Sequence, residues 1–410
     1  ARGAGRRRRA ARRPAAAGAL SAGPSDARTT VTSHGLVRVA VDATPLLGRP
    51  TGVGAFCAGA LAGLAGRPSV VTSAFAVSWR RRRGLAGQVP EGIGVVDRPM
   101  PARPLHWAWR RSGIPPIEWL VGPIDVVHGT NFVVPPARRA ARVVTVHDLT
   151  TVRYPELCDP PSLAFPSLVR RAVAGGAWVH TPSSHIAEEV VAAFSVDPAR
   201  VRAVPSGVPP LPPADPGAAA RVLPPGTSRY VLAVGTAEPR KDLPGLVRAF
   251  DELAGDRPAL ALVLAGPPGW GSADLSRAVE EAAARRRIVQ TGWVDGPGLA
   301  GLVGGASVLA YPSVYEGFGF PPLQAMAAGT PVVATRAGAL PEVLGDAASL
   351  VDVGDAGALA GALARVVDDP SVAADLSARG RVRVEGFTWA ACAEGLERLY
   401  RDAVAGRGGG

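Results

Sequence analysis

The segment YPSVYEGFGFPPLQAMAAGTPVV, residues Tyr311–Val333, has the pattern of a buried strand end, a glycine-rich turn, a helix and a second strand. Glu316 lies in the turn. Pro321 and Pro322 suit the first turn of the helix, because the N–H that proline lacks would have no helical partner there. Gly329 is expected to end the helix, and the next strand follows it directly.

This turn predicts an anion site. The backbone amides of Gly317, Phe318 and Gly319 and the free N–H groups at the start of the helix would face one point in space. A helix N-terminus favours an anion there, most often a phosphate. With Glu316 at the lip of the site, a hydroxylated group would fit beside the phosphate, as in a sugar attached to a diphosphate.

The chain has 410 residues, of which 47% are hydrophobic, and this is enough for two domains with full cores. Its net charge is +11, but residues 1–35 hold eight arginines and one aspartate. We therefore expect the basic character to belong mainly to a solvated tail rather than to the fold.

The three cysteines, Cys57, Cys158 and Cys392, are far apart and form no CxxC pair. This spacing argues against a disulfide framework or a zinc site and favours a reducing cytoplasm. The sequence has no apolar run of about 18 residues that would predict a membrane-spanning helix.

Strands that alternate with helices predict an α/β fold in which two Rossmann-like, doubly wound parallel sheets face a cleft. We predict a disordered Arg/Ala-rich tail at 1–35, a first Rossmann-like domain at 36–205, a proline-rich linker at 206–228, a second such domain at 229–386, and a final helix and tail at 387–410.

In the first domain a strand at Val37–Asp42 is followed by a glycine-containing turn. Gly52 and Gly54 are expected to let the backbone turn tightly before a helix that begins near Ala55. A GxG pair is a weak signal, and a simple strand–helix turn explains it as well as a ligand loop does.

Two histidines directly follow buried strands in the segments DVVHGTN and VTVHDLT. This position is the carboxyl edge of a parallel sheet, where open α/β sheets bind ligands. We expect a functional role for His147. For His128, a ring satisfied by loop carbonyls is an equal explanation.

Cations and a carboxylate are expected to meet at the carboxyl edge of the second sheet. Arg240 and Lys241 follow its first strand in GTAEPRKDL, and Glu316 follows its fourth strand. A departing diphosphate carries about two negative charges, which these cations could neutralise. The alternative is a solvated Arg-Lys pair on a helix cap. Gln324 cannot titrate, so it does not form the acid–base pair of a glycosidase with Glu316.

The segment EGFGFPPLQAMAAGTPVV resembles the signature of glycosyltransferase family 4, which comprises retaining enzymes of the GT-B architecture. The resemblance runs from about Val37 to Tyr400 and includes TGVGAF, VTVHDLT, VPSGV, VGTAEPRKDL, QTGWVD and ALPEVLGDAASLVDVGD. It implies an acceptor held mainly by the first domain, a nucleotide-sugar donor held by the second, and a final helix that crosses back to the first domain from Trp389 onward.

Within this resemblance, Arg240 and Lys241 match the family's diphosphate-binding pair. Glu316 matches the carboxylate that binds hydroxyls of the donor sugar. His147 matches the histidine that reaches this sugar near the reacting centre.

The remaining donor-binding positions also follow from the resemblance: Gly52 and Gly54 in the loop that closes over the donor, Gly235 after the first strand of the second domain, Gly317, Phe318 and Gly319 near the phosphate, and Trp293 and Val294 at the nucleobase. The family usually has a second glutamate, which bonds the ribose, where this chain has Gln324. We therefore expect altered ribose binding there.

The resemblance implies retaining transfer of a sugar from a nucleoside diphosphate to an acceptor hydroxyl, without a metal, in glycan or glycolipid synthesis. The EPRKDL motif favours GDP-mannose over UDP-sugars as the donor. Two alternatives stay open: a sugar-nucleotide epimerase of this architecture, and a non-catalytic two-domain sugar-binding protein. The acceptor is undetermined, and we expect no nucleic-acid partner. Arg80–Arg83 and Arg138-Arg139 are either a contact with an anionic membrane at its inner face or a solvated charge run.

Overall fold

Short apolar strands alternate with helices through both halves of the chain, and each half forms one parallel sheet. The computed structural model describes residues 35–48 and 51–407. The predicted tail at 1–35 lies outside the described residues except for Gly35, as do the last three residues.

The first sheet has seven strands in the order β3-β2-β1-β4-β5-β6-β7, all parallel. Its strands are β1 Val37–Asp42, β2 Val70–Phe75, β3 Gly94–Val96, β4 Val126–Gly129, β5 Ala141–Thr145, β6 Trp178–Thr181 and β7 Val201–Ala203. Its helices are α1 Gly52–Ala65, α2 Ala102–Arg111, α3 Glu118–Val121, α4 Thr150–Arg153, α5 Phe165–Ala174 and α6 Ser184–Phe194.

The second sheet has six strands in the order β10-β9-β8-β11-β12-β13, again all parallel. Its strands are β8 Arg229–Val234, β9 Leu260–Ala265, β10 Ile288–Gly292, β11 Val308–Tyr311, β12 Val332–Thr335 and β13 Ser349–Val351. The helices in this half are α7 Ala218–Val222, α8 Leu243–Ala254, α9 Ser272–Glu281, α10 Gly296–Gly305, α11 Phe320–Ala328, α12 Leu340–Leu344, α13 Ala356–Asp368, α14 Pro370–Val384 and α15 Trp389–Ala405.

The predicted pair of Rossmann-like domains is confirmed. In each sheet the strand order reverses once, between β1 and β4 in the first and between β8 and β11 in the second. Such a reversal opens a crevice at the carboxyl ends of the strands, where open α/β sheets bind their ligands. Buried Val, Leu and Ala side chains fill both faces of each sheet, as a parallel sheet requires.

The last helix, α15, packs on the first domain rather than on the second. Cys392, Leu396 and Tyr400 are buried in the core that α1 shares with the first sheet. A Cβ atom on Gly59 of α1 would lie 2.1 Å from the Trp389 ring, so the close approach of the two helices requires glycine there.

A buried chain of hydrogen bonds also fastens α15 to the first sheet. His128 Nδ1 lies 2.7 Å from the Tyr400 hydroxyl, and His128 Nε2 lies 2.7 Å from the Thr145 hydroxyl. Thr145 in turn contacts His180, whose Nε2 lies 3.0 Å from the Val204 carbonyl. Burial lowers the pKa of both histidines, that of His180 to about 4. His128 is therefore a neutral core histidine with both nitrogens bonded.

The proline-rich segment predicted as a linker lies against the second domain. Val208 and Leu211 pack beside the core under β8 and β11. The Asp215 amide donates to the Pro297 carbonyl at 3.0 Å.

Candidate active site

The loops after β8 and β11 flank the strand reversal of the second sheet, and hydrogen bonds join the two loops. The Val314 amide donates to the Arg240 carbonyl at 2.8 Å, and Arg240 Nη1 donates to the Tyr315 carbonyl at 3.2 Å. These bonds hold the β8 loop, with Arg240 and Lys241, beside the β11 loop with Glu316. The sheet edge thus brings the predicted cations and carboxylate together.

Glu316 is bound by both cations. Its Oε1 lies 2.8 Å from Arg240 Nη1 and 2.6 Å from Lys241 Nζ. Lys241 Nζ also donates to the Tyr311 hydroxyl at 2.7 Å, and Arg240 Nη2 lies 3.2 Å from Glu238 Oε2. Only 6% of Glu316 is exposed, so the expectation of a carboxylate at the lip of the site is wrong. The carboxylate is buried because two cations compensate its loss of water.

The pKa shifts follow from this arrangement. Burial by itself would raise the pKa of Glu316, but Arg240 and Lys241 outweigh it and lower the pKa from 4.5 to about 2. Burial lowers the pKa of Lys241, and Glu316 opposes this only in part. For Arg240, burial is outweighed by the nearby carboxylates, Glu316 first, and the pKa rises. Glu316 therefore neutralises part of the positive charge of Arg240 and Lys241 that would otherwise act on a bound phosphate.

Lys241 is the only lysine in the sequence, and the other 44 residues of the Lys and Arg total are arginine. Its ammonium group is compact, whereas a guanidinium is a planar fork. A Cβ atom on Gly235, just after β8, would lie 3.5 Å from Lys241 Cε. A lone lysine in an arginine-rich chain is a sequence signal that marks this position as distinct. Tyr311, the last residue of β11, was missed because it has the pattern of a core strand residue.

The predicted set of free helix N–H groups is smaller than expected. Helix α11 begins at Phe320, with Gly319 as its N-cap at φ 103°. Pro321 and Pro322 occupy the second and third helical positions, so they remove two of the first four donors. The amide groups available to an anion are therefore those of Gly319, Phe320 and the turn before them.

His147, from the facing domain, lies two residues beyond the end of β5. Its Nε2 lies 2.8 Å from the Thr130 carbonyl, so Nε2 carries the proton and Nδ1 keeps its lone pair. Burial lowers its pKa, and the bond to Thr130 offsets this only in part. Thr150 follows at the start of α4, and its buried hydroxyl has no hydrogen-bond partner within the described residues. No sequence pattern singles out Thr150.

The two domains touch at Gly317. A Cβ atom built on this residue would lie 1.8 Å from the His147 carbonyl oxygen, so only glycine fits. Ser183 Oγ donates to the Gly317 carbonyl at 3.0 Å. The predicted turn and the predicted histidine thus lie on either side of one contact.

Further contacts hold the domains together beside this point. Both carboxylate oxygens of Glu342 in α12 accept backbone N–H groups, from Ser184 and His185, at 2.8 Å each. These amides begin α6, where the helix dipole favours an anion. The Tyr315 hydroxyl donates to Glu189 of the same helix. These contacts join α6 of the first domain to the β11 loop and α12 of the second domain.

Gly52 and Gly54 lie in the first turn of α1, so the expectation of a glycine turn before a helix at Ala55 is wrong by three residues. The Gly54 amide donates to Oγ1 of Thr51, the N-cap residue, at 3.1 Å, and this bond caps the start of α1. Gly52 faces the start of α11, since its Cβ position lies 3.8 Å from the Phe320 ring.

Trp293 and Val294 follow β10 at the same edge of the sheet as the Glu316 cluster. Trp293 is 58% exposed, and Val294 packs against the core. Gln324 Nε2 donates to the Pro209 carbonyl at 3.1 Å, which ties α11 to the proline-rich segment. Within the described residues, none of the three is bonded to that cluster.

Within residues 35–48 and 51–407, no group of three His, Cys, Asp or Glu residues is placed to hold a metal ion. All three cysteines are free. No helix among the described residues is long and apolar enough to span a bilayer.

The comparisons with known proteins agree with this architecture. The family model described as "Glycosyl transferases group 1" matches residues 218–383, and "Glycosyltransferase Family 4" matches residues 50–210. An O-antigen chain mannosyltransferase B from Escherichia coli is 30% identical over 282 residues, which cover 67% of this chain and 74% of that protein.

Two solved structures share the fold. A sucrose-phosphate synthase from Thermosynechococcus elongatus has a TM-score of 0.69 at 21% identity, over 90% of this chain and 100% of that one. Anabaena HepE in complex with UDP and glucose has a TM-score of 0.65 at 16% identity, over 88% of this chain and 98% of that one.

Two Rossmann-like domains whose strand ends meet across a cleft form the GT-B architecture of glycosyltransferases. The chain belongs to glycosyltransferase family 4, the group 1 glycosyl transferases, and the predicted membership is confirmed. It is accordingly a glycosyltransferase rather than a non-catalytic sugar-binding protein.

Proposed function

We propose that the chain transfers a sugar from a nucleoside diphosphate to an acceptor hydroxyl with retention of the anomeric configuration. The observation that carries the proposal is the convergence of Arg240 and Lys241 on the buried Glu316, with His147 on the facing domain. A site that gathers two cations, a carboxylate and backbone amides suits a diphosphate joined to a hydroxylated sugar.

In this proposal the diphosphate lies between the cations and the amides before α11. Arg240 and Lys241 neutralise the charge that grows on the diphosphate as its bond to the sugar breaks. Glu316 accepts hydrogen bonds from sugar hydroxyls with the oxygen it does not share with the cations. His147 contacts the sugar near the reacting carbon through Nδ1, because its other nitrogen is held by Thr130.

The bond between the anomeric carbon and the diphosphate oxygen breaks, and the acceptor oxygen bonds to that carbon on the same face. The acceptor proton passes to an oxygen of the departing diphosphate, so no protein base is needed. We propose that no divalent metal takes part, since the cations supply the charge neutralisation that it would supply. Chelation with EDTA should leave the rate unchanged, and a loss restored by Mg²⁺ would reject this part.

We propose GDP-mannose as the donor. The mannosyltransferase from Escherichia coli supports the sugar, whereas HepE, solved with UDP and glucose, supports a uridine nucleotide. A thermal-shift screen of GDP-, UDP- and ADP-sugars separates these donors, because a bound ligand stabilises the folded state by mass action. Greater stabilisation by a UDP-sugar than by GDP-mannose would overturn this choice.

We propose a carbohydrate or lipid-linked acceptor, in glycan or glycolipid synthesis, and a cytoplasmic location. The three free cysteines suit a reducing compartment.

The transfer itself is tested with isotope-labelled donor and a panel of acceptors, with the product anomer read by NMR. Retention supports the mechanism, and inversion rejects it. Turnover of the donor without any acceptor would instead indicate a sugar-nucleotide epimerase. Lys241→Ala should lose both donor affinity and transfer, and Glu316→Ala should lose transfer. Full transfer by the Glu316 variant would show that the site is misplaced.

A further inference from the structure

The positive charge of the chain is concentrated in two segments. Its net charge is +11, of which residues 1–35 contribute +7 and residues 79–119 contribute +5, so all other residues sum to −1. The first segment lies outside the described residues except for Gly35. The second belongs to the first domain, where its placement can be read.

Helices α2 and α3 of this segment cover one face of the first sheet. Leu105, Trp109 and Ile117 point inward and are buried. On the outer side, Trp107 is 65% exposed and Trp119 is 61% exposed. The arginines at 103, 110 and 111 are exposed on the same helix as Trp107. This layer therefore has an apolar inner side and a basic, tryptophan-bearing outer side.

A second basic and aromatic stretch, Trp79–Arg83, adjoins this layer. Trp79 is 57% exposed and lines an open depression of about 410 Å³ with three arginines. Arg82 Nε lies 2.8 Å from Asp97, and Arg98 Nη1 donates to the Trp119 carbonyl at 3.1 Å. This ion pair and this hydrogen bond connect Trp79–Arg83 to α3 through the segment after β3.

Two more arginines adjoin α3. Glu118 accepts the amides of Arg138 and Arg139 at 2.9 and 2.7 Å, and both residues are exposed. The two arginine groups noted in the sequence therefore lie on one side of the domain. We call Trp79–Arg83 together with the outer sides of α2 and α3 the basic–aromatic face.

We propose that the basic–aromatic face docks on an anionic lipid bilayer. Tryptophan favours the boundary between water and hydrocarbon, because its ring is apolar and its N–H can still be hydrated. Arginines beside it are attracted to anionic headgroups. A soluble acidic partner would match the charge but would give three exposed tryptophans no apolar layer to enter.

The proposal also places the cleft near the membrane. Trp79–Arg83 follows β2, the neighbour of β1, at the carboxyl edge of the first sheet. Arg81 Nη1 lies 3.5 Å from the carbonyl of Leu47, in the segment that leads to α1. An acceptor anchored in the bilayer would therefore approach the edge of the sheet that faces the second domain.

The test is sedimentation of the full chain with phosphatidylcholine vesicles, with and without about 30% phosphatidylglycerol. The unmodified chain should bind the anionic vesicles and not the neutral ones. The double substitution Arg80→Glu with Arg83→Glu should weaken binding at least about 25-fold, since each arginine at an anionic surface contributes about fivefold. The matched control, Arg285→Glu with Arg286→Glu in the second domain, makes the same charge change and should alter binding less than about twofold.

The tryptophans separate a membrane from a soluble polyanion. Trp107→Ala with Trp119→Ala should also weaken vesicle binding at least about fivefold, and vesicles should shift the tryptophan emission of the unmodified chain to the blue. The residues 1–35 are present in every variant, so their charge is constant. Equal losses from both arginine pairs, unchanged binding of the tryptophan variant, or no binding of the unmodified chain would overturn the proposal.

Discussion

Glu316→Gln tests the charge balance of the site. Two cations outweigh burial and hold the pKa of this carboxyl at about 2 instead of 4.5, a difference of about 3 kcal/mol at about 1.4 kcal/mol per unit. Its side chain is only 8% exposed, so solvent screens little of this. The depressed pKa means that the stabilisation is complete above about pH 5 and is lost as the pH falls toward 2. We therefore expect the variant to melt about 5 °C lower at neutral pH, with a smaller difference in acid.

A nucleoside diphosphate should reverse part of this loss. In the variant, no carboxylate competes with the two negative charges of the diphosphate for Arg240 and Lys241. GDP should therefore raise the melting temperature of the variant more than that of the unmodified chain. Transfer should nevertheless fall, because a neutral amide with one acceptor oxygen binds the sugar hydroxyls more weakly than a carboxylate does.

The matched control is Glu397→Gln. Glu397 is also 6% exposed and lies 2.6 Å from Arg67 Nε, but it belongs to α15, on the first domain. This variant should melt lower and show the same GDP shift as the unmodified chain. An equal GDP shift for the Glu316 and Glu397 variants would refute the assigned role of Glu316.

Three further predictions concern the same cleft. Lys241→Arg should raise the donor KM about tenfold or more despite its unchanged charge, because a guanidinium cannot keep the bonds to Glu316 and the Tyr311 hydroxyl; a KM within about twofold would argue against this. Gly317→Ala should lower kcat/KM at least about 100-fold, because the new Cβ would lie 1.8 Å from a carbonyl oxygen of the facing domain. The control Gly304→Ala, at a glycine with open space around it, should have little effect. The lowered pKa of His147 predicts a transfer rate that is flat from about pH 8 to 6.5 and falls only in more acidic solution; a midpoint above about 6.5 would contradict this.

Local patterns were sufficient for most of the fold. Strand β1 is a largely apolar run, and the bounds predicted for it, Val37–Asp42, are those that the structure shows. Strand β6 was missed, because His180 interrupts a short apolar run. That histidine is tolerated in the core only through Thr145 and the Val204 carbonyl, partners that no local pattern shows.

The candidate site was predictable to the extent that parallel strands share an edge. This rule predicts that Arg240 and Lys241 lie close to Glu316, and they do, because β8 and β11 are neighbours. It could not show that Glu316 is buried between both cations, which depends on side-chain geometry. Nor could it show the contact between Gly317 and His147, which depends on how one domain meets the other.

The most direct test of the nucleotide-sugar site uses the single lysine. Expression with lysine labelled with ¹³C at Cε gives one lysine resonance, that of Lys241, in an NMR spectrum of the unmodified protein. A nucleoside diphosphate should shift this resonance in a saturable way, whereas the corresponding nucleoside should not. An unchanged resonance at a GDP or UDP concentration that stabilises the fold would contradict the assignment of the diphosphate to Arg240 and Lys241.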